Sequence, residues 1–457
     1  MPMGNRELLL AALRNEETER PAWVPFVGVH GAQIIGVDAP SYLRSGELIA
    51  KGLTKAAELY RPDGLPVVFD LQVEAEILGC DLNWPADGPP SVTSHPLESG
   101  DLEDLPEFDT AGGRFPQIAD AMERLSDTVA RDVVLYGLVT GPFTLALHLM
   151  GNNIFLEMFD RPEHVSKVLD FCSEIGRKTA AFYLEHGASV IAVVDPMTSQ
   201  ISPDHFREFV TPHVDPIFEA VREKGGYSSM FVCGDATRNL EAMAETAADN
   251  MSVDENISLE HLQGVASPLG KSIGGNLKLT TVLLLGDEDA CRHEAIRCID
   301  TCGTRGFVLA PGCDLPWGVP PENLQAVAEM VHDEYRRDIV RHTAYAADVD
   351  AFEDLELPDY EQAGKVYIDV VSLDSATCPP CQYMVEAAER AVEGLDGVVV
   401  REHKIKNRQG LGYMTRLGVR SIPTICVDGT PRFASIIPGR NELRQVIEER
   451  IAEKSKP

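Results

Sequence analysis

The chain has 457 residues, 44% of them hydrophobic and 25% charged, and carries a formal net charge of −32 at pH 7. A single core stops growing near ~250–300 residues, so one large and one small domain are expected. The acid excess excludes a nucleic-acid partner held through a basic face, and no apolar run nears the ~18 residues of a membrane span.

The N-terminus, Met1-Pro-Met-Gly-Asn-Arg-Glu, has no apolar stretch behind a basic start, so a cytoplasmic protein with no membrane association is expected. Eight short apolar runs follow: Trp23–Val27, Pro66–Leu71, Val133–Val139, Val190–Asp195, Ser229–Cys233, Asn250–Asp254, Ser272–Leu277 and Gly306–Ala310. Many of them lead into helical patterns. Pro203–Val221 and Pro321–Tyr335 open with proline in the first turn, where its missing N–H costs least, and Asn152 to Glu185 spans one long helix or two segments. Eight strand and helix units predict a parallel sheet closed into a (β/α)8 TIM barrel over residues 1–342.

Active sites of such barrels sit at the C-terminal mouths of the strands. Taken in order, those mouths carry His30, Asp70 with Gln72 and Glu74, Thr140, Asp195, Cys233, Asp254 with Glu255, Asn276, and Cys313. Acids, a histidine and two thiols on one rim suit a metal or acid/base site. Asp195 and Glu74 could orient a substrate or cap neighbouring helices. Ten cysteines in a chain of this kind are no disulfide framework. Cys172, Cys291, Cys298 and Cys302 read as small buried hydrophobes.

Residues 343–362 are acidic and aperiodic, and are expected to be a linker to a domain over 363–457. In it Lys365–Ser372, Val398–Lys404 and Ile425–Val427 predict strands, and Cys378–Val392 and Arg440–Lys454 helices. Cys378-Pro-Pro-Cys381 falls after a strand and at a helix start, where free N–H groups and the macrodipole favour thiolate. Half of a zinc site is the other reading of such a pair, but no second pair lies nearby. The segment resembles the thioredoxin/glutaredoxin superfamily, and Ser421-Ile422-Pro423-Thr424 matches the proline loop that faces the cysteines there. The resemblance implies a small thioredoxin-like α/β domain with Cys378, Cys381 and Pro423 at its redox site.

In the barrel, Phe231-Val-Cys-Gly234, Ala310-Pro-Gly-Cys313, Gly141-Pro-Phe-Thr, Gly151-Asn-Asn-Ile and Phe69-Asp-Leu-Gln-Val-Glu-Ala-Glu-Ile-Leu-Gly79 resemble the uroporphyrinogen decarboxylase superfamily. The similarity leans to its cobamide-dependent methyltransferases, whose zinc motif is His-x-Cys-Gly followed much later by Pro-Gly-Cys. It implies zinc on Cys233 and Cys313, but the histidine position holds Phe231. Either the metal is lost or another mouth residue replaces the ligand, the candidates being His30, Asp254 and Glu255.

The decarboxylases hold a polycarboxylate with an arginine-bearing N-terminal segment, whereas Pro25-Phe-Val-Gly-Val-His-Gly-Ala-Gln-Ile has no arginine. The resemblance therefore implies a zinc-dependent methyltransferase, with Asp195, Glu74 and Asp254 as catalytic acids. It would move methyl between a small methyl donor or thiol acceptor and a corrinoid carried by a partner protein, in a direction left open. The competing expectations are a decarboxylase and a non-enzymatic redox or assembly protein. For the tail, three roles stay open: keeping the barrel thiols reduced, docking a corrinoid protein, or presenting a methyl-accepting thiol.

Overall fold

The computed structural model describes residues 3–343 and 355–454. The chain forms two compact units, Met1–Tyr345 and Ala346–Pro457. Of the acidic stretch expected as a linker, residues 344–354 lie outside the described residues. No helix among the described residues is long and apolar enough to cross a membrane.

Eight strands build the large sheet of the first unit: β1 (Ala22–Trp23), β2 (Gly64–Pro66), β3 (Val134–Thr140), β4 (Val190–Val194), β5 (Tyr227–Val232), β6 (Asn250–Val253), β7 (Ser272–Leu277) and β8 (Phe307–Pro311). They pair in parallel in the order β1-β8-β7-β6-β5-β4-β3-β2. No ladder joins β1 to β2 among the described residues, and Asp63 bridges the gap. Its N–H donates to the Trp23 carbonyl at 2.8 Å, and its Oδ2 accepts from the Trp23 N–H at 2.8 Å. Its carboxylate also receives both Arg20 terminal nitrogens at 2.7 Å. The result is a nearly closed (β/α)8 barrel.

Strand alternation explains the filling. Val134, Tyr136 and Leu138 on β3 and Val190, Ala192 and Val194 on β4 pack in one cluster with Phe231, Val308 and Ala310. Leu8, Leu9, Ala12 and Leu13 of the helix Asn5–Leu13 join that cluster. Tight helix packing needs proline where a backbone bond is dispensable: the long helical stretch breaks at Arg161, and Pro162 starts a second helix, Pro162–Glu185, after Ile154–Asp160. The segment predicted as one helix over 203–221 is likewise divided. A π-turn, Phe206–Val210, precedes Thr211–Glu223, whose Pro216 lies inside the helix and removes one more donor.

The second unit is a four-stranded mixed sheet of β9 (Val366–Ser372), β10 (Val398–Lys404), β11 (Thr424–Val427) and β12 (Thr430–Ala434), in the order β10-β9-β11-β12. β9 and β10 run parallel, and β11 is antiparallel to both β9 and β12. One face packs Val366, Ile368 and Val370 against Met384 and Ala388 of the helix Pro379–Val392 and Leu443 and Ile447 of Arg440–Lys454. The other face buries Val371 and Cys426 with Tyr413 of Arg408–Arg416, and takes in Leu355, Leu357 and Tyr360 from the stretch expected as linker. Cys378 and Cys381 form a disulfide, and the Ile422–Pro423 peptide is cis.

Each unit has its own apolar core. Residues 1–343 produced alone are therefore expected to unfold in one cooperative transition with the midpoint of the barrel in the full chain, followed by circular dichroism. A truncated barrel that aggregates where the full chain stays monodisperse would contradict this.

Candidate active site

The two thiols meet across the C-terminal mouth. Cys233 directly follows β5 and Cys313 follows β8, and their sulfurs are 2.7 Å apart. Two glycines make the approach. Gly234 takes a positive φ of 87° and its N–H donates to Asp254 Oδ2 at 3.0 Å. A Cβ at Gly312 would lie 2.6 Å from the Glu255 backbone nitrogen, so only glycine lets the β8 loop lie this close to the β6 loop. Cys233 is 9% exposed, and Cys313 is half-buried. The hydrogen bond with Cys313, burial, and the nearby Asp254 and Asp314 hold the Cys233 thiol well above its ordinary pKa. Either sulfur can be the S–H donor across this contact.

The acids divide into two groups. Glu74 and Asp195 are fully committed to backbone and threonine partners. Glu74 accepts from the Thr140 N–H at 3.2 Å and its hydroxyl at 2.8 Å. Asp195 accepts from the Phe143 and Thr144 N–H groups at 3.2 and 2.8 Å and from the Thr144 hydroxyl at 2.6 Å, capping the helix Pro142–Met150. Burial raises both, Asp195 to about 6.

Asp254 lies against the thiols. It also holds its own loop, accepting from the Asn256 N–H at 2.9 Å and the Asn256 side chain at 2.6 Å. Glu255 accepts from the Leu279 N–H; burial first, and then the adjacent Asp254, push it up to about 8. Asn276 ties down the same loop through the Asp254 and Ile257 carbonyls at 3.0 and 2.7 Å.

Because the folded state raises Glu255 above its ordinary value near 4.5, folding favours its protonated form. That stabilisation is complete below about pH 4.5 and is lost as pH rises through 8. Glu255→Gln is thus expected to gain stability relative to the parent at pH 9 and little at pH 5, read by denaturant unfolding. An equal difference at the two pH values would contradict the assignment.

His30 is fully buried, and both ring nitrogens are occupied. Its Nδ1 lies 3.3 Å from the Trp317 carbonyl, which can only accept, so Nδ1 carries the proton and Nε2 accepts from the Tyr60 hydroxyl at 2.7 Å. Burial lowers it to about 4, keeping it neutral. Phe231, two residues before Cys233 and on the same face of β5, packs between Phe26 and Phe69 with ring centroids 5.1 and 6.0 Å away. Among the described residues no three His, Cys, Asp or Glu side chains gather closely enough to hold a metal. A catalytic zinc takes about three protein ligands. Of the expected replacements Asp254 is beside the thiols but engaged by Gly234 and Asn256, and His30 is engaged by Tyr60 and Trp317, so the residues as placed do not make a three-ligand set for the metal.

Sequence reasoning passed over Asp314 and Arg114. Asp314 follows Cys313 directly, has Oδ1 buried without a hydrogen-bond partner, and is raised well above the carboxylate range by burial. Its place beside a Gly-flanked cysteine was the available signal. Arg114 starts the helix Phe115–Ser126 and pairs with Asp70 and, at 2.7 Å, with Glu76. It carries no local motif, and its pairing spans 44 residues of chain.

The uroporphyrinogen decarboxylase (URO-D) family matches residues 5–334. The methylcobamide:CoM methyltransferase of Methanosarcina acetivorans is 28% identical over 331 residues, covering 71% of this chain and 96% of that protein. A uroporphyrinogen decarboxylase of Anaeromyxobacter dehalogenans is 26% identical over 353 residues, covering 71% of this chain and 97% of its own. A solved structure of a methyltransferase from Methanosarcina mazei superposes with a TM-score of 0.67 at 28% identity, over 74% of this chain and 99% of that one.

Proposed function

The chain belongs to the uroporphyrinogen decarboxylase family, and on that footing we propose that it is a corrinoid-dependent methyltransferase, moving a methyl group between a corrinoid carried by a partner protein and a small methyl donor or thiol acceptor. Decarboxylases and methyltransferases of the family match over similar lengths, so the site decides between them. The observation that carries the reading is the thiol pair at the barrel mouth, Cys233 and Cys313 at 2.7 Å, flanked by Asp254 and Asp314. A polycarboxylate substrate needs free cations. The mouth instead collects acids, and Arg114 is already held by Asp70 and Glu76.

Methyl transfer between sulfur and cobalt is a displacement at carbon, and the corrinoid supplies the cobalt that releases or takes the methyl group. This chain has three tasks. The open mouth admits a large planar partner from one side. Cys313, the more exposed sulfur, faces the incoming substrate, while Cys233 lies buried behind it and fixes the Cys313 sulfur by direct contact. The committed acids Glu74 and Asp195 hold the β3 and β4 mouths rigid, so the substrate surface is preorganised.

In the same reading the second unit is a thioredoxin-like domain. Its support is the mixed four-stranded sheet flanked by helices, with Cys378 directly before the helix Pro379–Val392 and Cys381 one turn inside it.

The test incubates the purified chain with methylcobalamin and a panel of small thiols that includes coenzyme M, following the corrinoid spectrum. Thiol-dependent demethylation supports the reading. Decarboxylation of uroporphyrinogen with no change in methylcobalamin overturns it.

A further inference from the structure

We infer that Cys233 and Cys313 are a reversible dithiol–disulfide couple at the barrel mouth and that the Cys378/Cys381 pair is its reductant. The first half rests on geometry. Two thiolates sharing a tetrahedral zinc at ~2.3 Å lie about 3.7 Å apart, and the sulfurs of a disulfide about 2.0 Å. At 2.7 Å the Cys233 and Cys313 sulfurs are nearer to a bond than to a shared ion.

Their neighbours point the same way. Phe231, the inward residue two positions earlier on β5, is spent on the Phe26 and Phe69 rings. Asp254 is engaged by Gly234 and Asn256, and His30 by Tyr60 and Trp317. Among the described residues no third His, Cys, Asp or Glu completes a metal-holding set with the pair, while the two sulfurs have each other. The pair is also unequal in the way exchange requires: Cys233 is buried, and Cys313 presents a sulfur that an external thiolate can reach.

The second half rests on the thioredoxin-like reading of the tail. Cys378 is half-exposed and directly precedes a 14-residue helix, Cys381 is buried one turn on, and the two are joined as a disulfide while Cys233 and Cys313 are free thiols. The barrel disulfide forms when a low-molecular-weight disulfide such as glutathione disulfide takes two electrons and two protons from Cys233 and Cys313. The tail disulfide is first opened by two molecules of a low-molecular-weight thiol such as glutathione, which leave as its disulfide. In the return step Cys378 thiolate attacks Cys313 Sγ and breaks its bond to Cys233, which leaves as thiolate and takes a proton from water. Cys381, on losing its proton, then attacks Cys378 Sγ and releases Cys313. Two electrons and two protons pass from the tail pair to the barrel pair. Under the methyltransferase reading, the disulfide form withdraws Cys313 from substrate and the tail restores it.

The test uses the full chain in a series of glutathione to glutathione disulfide ratios, followed by acid quench, alkylation and peptide mass spectrometry. A Cys233–Cys313 linked peptide that grows with the glutathione disulfide fraction and is abolished by dithiothreitol is expected. In parallel, oxidised Cys378→Ser chain is mixed with reduced Cys381→Ser chain, which cannot resolve an adduct, and a Cys378–Cys313 linked peptide is expected. Free or glutathionylated Cys233 and Cys313 at every ratio, or one zinc per chain shielding both sulfurs from alkylation, would overturn the couple. A barrel disulfide with no trapped adduct would overturn the tail as reductant. Both outcomes leave the methylcobalamin assay to judge the methyltransferase reading separately.

Discussion

Cys313→Ala is expected to slow methyl transfer at least about a hundredfold, the scale on which groups acting at the reacting atoms contribute. Its unfolding midpoint should move little, because Cys313 is half-buried at a strand mouth and its loss opens no core cavity. Cys233→Ala should also lose activity, since the Cys313 sulfur then loses the contact that fixes it. Being buried, it should cost stability as well, on the order of 1 kcal/mol. Paired activity and unfolding measurements separate the two. Full activity in both variants would remove the thiols from the reaction.

The largest structural effect is expected at the seam of the barrel. Asp63 is fully buried and receives both Arg20 nitrogens and the Trp23 N–H, so it replaces the missing ladder between β1 and β2. Asp63→Ala leaves the half-buried Arg20 guanidinium with only the Pro21 carbonyl and Asn5 side chain as acceptors and the Trp23 N–H without its partner, and should cost about 3 kcal/mol or more in denaturant unfolding. Asp63→Asn, which can still accept from Trp23, should cost less. If Asp63→Ala changed stability by less than the surface variants Glu58→Ala or Glu163→Ala, the seam would owe its closure to apolar packing alone.

Much of the barrel is legible in the sequence because a parallel strand covered on both faces reads as an uninterrupted apolar run, and Val133–Val139 and Val190–Val194 are of that kind. The ends were harder. Of the run Trp23–Val27 only Trp23 falls in the strand, which is Ala22–Trp23, because Pro25 has no N–H and the chain turns there, Val27 and Gly28 bonding back to the Pro25 and Phe26 carbonyls. Pro66–Leu71 shortens to Gly64–Pro66 for a related reason: Asp70 bends the chain by accepting from the Gln72 N–H.

The two-residue ladder between Leu82–Asn83 and Ser91–Val92 had no alternating pattern long enough to announce it.

At the site, the meeting of Cys233 and Cys313 followed from their places after two strands of one barrel, which topology sets. What a linear reading does not hold is the direction each side chain faces once packed. His30 stands at a mouth position but turns to Tyr60 and Trp317, and Asp195 turns to the helix start at Phe143 and Thr144. The competition is local and physical: a buried acid or imidazole takes the nearest donors and acceptors, and in this chain these are backbone and hydroxyl groups rather than a shared ligand.

The most direct measurement of the central proposal is a single turnover with 13C-methylcobalamin and the best thiol of the panel, with the reduced full chain in stoichiometric excess. The account predicts that the label moves to a methyl thioether in the NMR spectrum with the wild-type chain and stays on cobalt with Cys313→Ala. Label that remains on cobalt with the reduced wild-type chain, for every thiol tried, would contradict it.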